Sequence, residues 1–105
     1  MEELKRRFEQ DMVNIYRTAK LECGYTASRF LQMIGKQGGW ATAKQLICKP
    51  GGTDGFATLW QHGRLDLSVE ALVLRPEYRC LFTAEECTLC EERLREYGFR
   101  FSESM

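Results

Sequence analysis

Residues 55–82 read GFATLWQHGRLDLSVEALVLRPEYRCLF, and residues 83–86 continue as TAEE. His62, Arg64, Asp66 and Glu70 fall within nine residues, enclosed by Leu59, Trp60, Leu65, Leu67, Val69, Leu72, Val73 and Leu74. A chain of 105 residues cannot leave so much apolar surface in water, so the segment belongs to the core. Its four polar residues then serve either as caps and salt bridges of the fold or as the edge of a site. A helix is expected to begin near Asp66 or Ser68 and to end before Pro76, whose ring pushes Arg75 out of helical geometry. Ala71-Leu72-Val73-Leu74 would also suit a buried strand, but no partner strand is legible elsewhere. Thr83-Ala84-Glu85-Glu86 is a capping box opening a last helix to about Tyr97, with Cys87, Cys90, Leu94 and Tyr97 on one face and Gly98 as its stop.

Upstream, the chain reads as short helices punctuated by glycine. The first and longest runs from about Glu3 to Cys23, where Leu4, Phe8, Met12, Ile15, Tyr16, Ala19 and Cys23 recur at steps of three and four, with an occasional pair. That periodicity buries one stripe. Gly24 ends it, and Thr26 is the expected cap of a second helix carrying Ala27, Phe30, Leu31 and Ile34. Gly35 to Gly39 breaks the chain before a third helix with Trp40, Ala43, Leu46 and Ile47. Residues 49–52, KPGG, are a loop. Thr53 or Asp54 caps a fourth helix with Phe56, Leu59 and Trp60, stopped at Gly63. Residues 102–105 are expected to fray. The fold class is all-α, a single domain of five to six short helices over residues 1–105.

Composition agrees with a globular domain: 44% of residues are hydrophobic and 29% charged, outside the range of disordered chains. No window suits a membrane span, and the opening MEELKRRFEQDMV lacks the order of a signal peptide. The expectation is a soluble, cytoplasmic protein. Net charge is zero, yet residues 1–50 carry nine Lys or Arg against five acids, and residues 51–105 six against ten. Such asymmetry marks either a basic binding face or two halves that attract each other, or another copy. Five cysteines form an odd set with no secretory context, so free thiols are expected.

Residues 22–25 (ECGY), 29–33 (RFLQM), Gly55-Phe56, Leu59-Trp60 and 63–74, with 81–83 and 93–98, resemble a family of short bacterial proteins of unassigned function. The likeness spans nearly the whole chain. It implies a bacterial, cytoplasmic setting, and an association with restriction-type or defence systems raises the prospect of nucleic-acid work. It implies no catalytic residue. Cys87 and Cys90 depart from the family, which carries Ala or a polar residue there.

Several constellations carry chemistry in principle. Cys87 and Cys90, with Cys80 and His62, would complete a zinc set on paper. A second paired motif is missing, however, and both cysteines coincide with the apolar face of the last helix, so no metal and no cofactor are expected. Cys87 lies a turn inside its helix, not at the N-terminus that a thioredoxin-like thiol needs. His62 is the lone histidine, and no nucleophile or oxyanion donor is nominated beside it. Arg64, Asp66 and Glu70 have a structural account: Asp66 caps the fifth helix, Glu70 lies in its first turn, and Arg64 bridges either carboxylate. An enzyme is not expected.

Binding remains. Arg6, Gln10, Asn14 and Arg17 follow steps of four, four and three on the first helix. Thr42, Lys44, Gln45 and Lys49 are expected on the surface of the third. These residue types contact phosphates and base edges, and helices two and three have the lengths of a helix-turn-helix pair. Two tryptophans, six phenylalanines and four tyrosines also suit a protein interface. The favoured reading is a non-enzymatic module for a protein partner or a second copy of itself. A DNA- or RNA-binding accessory module is the alternative, and no membrane is involved.

Overall fold

The computed structural model describes residues 2–24, 28–48 and 56–98. Among them are six α-helices: α1 (Glu2–Cys23), α2 (Ser28–Gln37), α3 (Gly39–Ile47), α4 (Phe56–Gln61), α5 (Val69–Val73) and α6 (Ala84–Glu96). Short 3₁₀ turns at Leu65–Leu67 and Arg79–Leu81 join the last three. No strand occurs among the described residues, so the all-α expectation holds and residues 71–74 are not a strand. None of the helices is long and apolar enough to cross a membrane.

The stripe of α1 buries Phe8, Met12, Ile15 and Ala19, with Leu4 and Cys23 packed at its ends. These meet α3, which also contacts α2, α5 and α6 and is therefore the hub of the bundle. Phe8 stands edge-on to Tyr78, with ring centres 5.1 Å apart, and 5.4 Å from Phe82. Apolar residues of α5 and α6, including Leu72, Val73, Cys90 and Leu94, complete the core.

Two helix starts match the sequence in different ways. At α6 the Thr83 hydroxyl accepts from the Glu86 amide, and Glu86 reaches back to the Thr83 amide, closing the capping box. At α5 the cap is Ser68, whose Oγ accepts from the Ala71 amide at 3.1 Å. Asp66 is not the cap: it lies inside the 3₁₀ turn, two residues before the position whose side chain can reach the free amides. The expected caps Thr26, Thr53 and Asp54 lie outside the described residues, as do the 49–52 loop and residues 102–105. Gly24, Gly63 and Gly98 end α1, α4 and α6 with positive φ, as their positions predict.

The break between α2 and α3 is shorter than the Gly35–Gly39 span. Gly35 is helical, and Gly38 alone forms the turn at φ 89°. Glycine is also required at Gly39, where a Cβ would lie 2.8 Å from Cα and Cβ of Glu9. The same approach supplies α3 with a cap from another helix. Gly38 has no side chain to offer, and Glu9 Oε1 of α1 accepts the Gly39 N–H at 2.9 Å, satisfying an orphan amide with a carboxylate at the positive helix end.

Candidate binding faces on the first and last helices

The expected site residues on α1 share one outward stripe. Arg6, Gln10, Asn14 and Arg17 are all exposed, and their spacing aligns them on the face opposite Phe8, Met12, Ile15 and Ala19. Leu21 extends the stripe by one turn and is 86% exposed. Its distance from the buried periodicity is the sequence signal that it lies outside the core.

Two acids from the middle of α1, Glu9 and Asp11, turn away from that face. Glu9 caps α3. Asp11 Oδ2 accepts from the Tyr78 hydroxyl at 2.5 Å and lies 3.7 Å from the Arg75 guanidinium. Tyr78 is fully buried, and desolvation together with the Asp11 carboxylate pushes its hydroxyl up to about 12. Between Glu3 and Glu22, every exposed charged residue of α1 is basic: Arg6, Arg7, Arg17 and Lys20. A helix with balanced charge in sequence thus presents a basic face along its middle.

The expected residues of α3 behave differently. Thr42 is fully buried and donates its hydroxyl to Gly38 O at 2.7 Å. Lys44 Nζ donates to both Glu86 oxygens, at 2.9 and 2.7 Å. Burial would raise the Glu86 carboxyl, but the Lys44 ammonium and the Thr83 amide outweigh it and hold the group below its ordinary value. Gln45 is exposed and accepts from Gln37 Nε2 at 3.1 Å. Lys49 lies outside the described residues. Within α3, Gln45 is the one exposed residue. A recognition helix must protrude to enter a groove; α3 packs against α1, α2, α5 and α6 and so presents little free surface along its described length.

An open groove of about 330 Å³ runs between the starts of α1 and α3, lined by residues that include Lys5, Arg6, Gly39 and Trp40. The Lys5 ammonium sits 3.9 Å from the centre of the Trp40 ring, and Trp40 Nε1 donates to Leu81 O at 2.8 Å. The indole is therefore held from both sides by the fold.

The polar motif of residues 64–70 divides in two. Arg64 pairs bidentately with Asp66, at 3.1 and 3.2 Å, and also with Glu22 of α1. The Asp66 carboxylate raises the Arg64 pKa, chiefly through its hydrogen bond. Glu70 does not join them. It is 0% exposed and accepts from Arg93 Nη1 of α6 at 2.9 Å.

The thiols are dispersed. Cys87 and Cys90 are buried, and Cys48 and Cys80 exposed. Burial pushes the Cys87 and Cys90 thiols up, which leaves little of the nucleophilic thiolate at neutral pH. No group of three or more metal-ligating side chains occurs among the described residues. His62 is exposed just beyond α4.

A second exposed stripe lies on α6. Glu85, Leu89, Glu92 and Glu96 are exposed at steps of four, three and four, with Leu89 at 40%. Here the inward partners are Glu86 with Lys44, Glu91 with Arg79 at 3.3 Å, and Arg93 with Glu70. Tyr97 continues this end of the molecule. Its ring stands 5.3 Å from Trp60, itself 47% exposed. The spacing of these acids was legible; that the fold leaves them beside exposed apolar side chains was not. Comparison with protein-family models, curated proteins and solved structures finds no match to this chain.

Proposed function

We propose that the chain is a non-catalytic module that binds a protein partner through the outward stripe of α1, with Arg6, Gln10, Asn14 and Arg17 as contacting residues. The carrying observation is the sorting of charge on that helix: Glu9 and Asp11 are engaged by the fold, while Arg6 and Arg17 face outward with a bare Leu21 at the stripe's end. Basic and amide side chains ending in an exposed leucine suit a partner with an acidic surface and an apolar edge. The test is affinity capture from nuclease-treated lysate of the source cells with wild type and the Arg6→Ala, Arg17→Ala variant. A partner retained by wild type and lost by a variant of unchanged far-UV circular dichroism supports the reading. Equal capture by both removes this surface.

The same stripe favours a second reading, a DNA- or RNA-binding accessory module, because Arg6, Arg7, Arg17 and Lys20 form an outward basic series. Phosphate contacts release counterions and weaken steeply with salt. Fluorescence anisotropy with short single- and double-stranded DNA and RNA separates the two. Tight binding at low salt, with a steep negative slope that the Arg6→Ala, Arg17→Ala change removes, would transfer the surface to nucleic acid.

A further inference from the structure

We infer that the acidic stripe of α6 is the docking surface for the basic stripe of α1 on a second copy of this chain. The inference rests on the protein-binding reading above and names its partner. Three observations carry it. The two stripes are opposite in sign, Arg6 and Arg17 on one and Glu85, Glu92 and Glu96 on the other, in a chain whose net charge is zero. They match in length: Arg6 and Arg17, like Glu85 and Glu96, are eleven residue steps apart, about 16 Å of helix at 1.5 Å per residue. Each also ends in exposed apolar surface, which a purely solvated face does not require.

A parallel register satisfies all three at once. Arg6 then faces Glu85 and Arg17 faces Glu96. Leu21, one turn beyond Arg17, passes the end of α6 to the place where Tyr97 and the half-exposed Trp60 meet. Leu89, within the stripe, lies opposite Gln10 in this register. The charges set the register and orientation, and the apolar end supplies the desolvated anchor. The surfaces already engaged inside the fold, Lys44 with Glu86 and Glu70 with Arg93, are undisturbed by this docking.

The experiment is sedimentation equilibrium of the full chain, under reducing conditions because Cys48 and Cys80 are exposed, at low and high salt. Wild type should associate reversibly at low salt and dissociate as salt screens the pairs. Two charge reversals, Arg6→Glu with Arg17→Glu and Glu85→Lys with Glu96→Lys, should each weaken self-association by about tenfold or more. An equimolar mixture of the two variants should restore it, since the acidic α1 of one then faces the basic α6 of the other. Circular dichroism checks that both variants fold, and the mixture keeps the test independent of small losses in stability. A wild-type chain that stays monomeric at low salt overturns the inference, as does association unaffected by either reversal or a mixture that stays dissociated. A monomer that still captures a different protein through Arg6 and Arg17 leaves the protein-binding reading standing and overturns the second copy alone.

Discussion

Arg64 and Asp66 lie within six residues of Glu70 in sequence, yet the two ends of this motif occupy opposite physical worlds. The Arg64–Asp66 pair is on the surface, joined by Glu22 of α1 and bathed in solvent. Glu70 is sealed in the core against Arg93, which is itself 11% exposed. Water screens the first pair and competes for its hydrogen bonds, so the pair adds little. The second has been removed from water at a desolvation cost that the Arg93 guanidinium helps to offset, so losing either member leaves the other a buried charge without this counter-ion. Proximity along the chain is thus a poor guide to shared function, since successive positions of a tight turn and helix point to different sides.

The largest expected effect tests the buried half. Glu70→Ala or Arg93→Ala should lower the unfolding free energy by about 3–5 kcal/mol, read as a shift in urea midpoint at constant slope. The double change Glu70→Leu, Arg93→Met should recover most of that loss, and failure to recover would mean that the pair contributes more than mutual neutralisation.

Tyr78 stands between the extremes: a buried ring whose hydroxyl meets the partly exposed Asp11. Tyr78→Phe should cost about 1–2 kcal/mol. The folded hydroxyl titrates above its ordinary value of 10.0, at about 12. The unfolded chain therefore loses its proton first as pH rises. The stabilisation is fully present below pH 10 and is lost as pH rises toward about 12. Urea titrations across that window should show stability falling in wild type, and the Phe variant should lack this tyrosine's share of the fall.

Ser68 joins the two halves of the motif. Its Oγ accepts from the Ala71 amide and donates to Leu65 O at 2.7 Å. Ser68→Ala should cost about 1 kcal/mol, whereas Asp66→Ala should leave α5 capped. A larger loss at Asp66 than at Ser68 would reverse the capping assignment. The smallest effect belongs to Arg64→Ala, for which the urea midpoint should not move measurably. A clear shift there would erase the contrast with Glu70.

The local grammar of the chain was legible without a structure. The α1 stripe, the capping box at Thr83 and Glu86, and the stops at Gly24, Gly63 and Gly98 are all relations between residues at most four apart or single backbone positions. Helix formation is governed at that range. The outward placement of Arg6, Gln10, Asn14 and Arg17 followed from the same periodicity. What α3 exposes did not follow, because a helix of nine residues gives too little periodic signal to show that neighbours cover it on nearly every side.

Tertiary structure alone decided which charges face inward. Glu70 finds Arg93 across 23 residues, Glu9 finds Gly39 across 30, Lys44 finds Glu86 across 42 and Tyr78 finds Asp11 across 67. No periodicity encodes those meetings. They arise when burial of the apolar stripes brings distant polar groups together, and desolvation then requires each to find a partner. The sequence by itself determined the helices and their apolar faces. The folded chain determined which ions those faces enclose, and so which remain exposed.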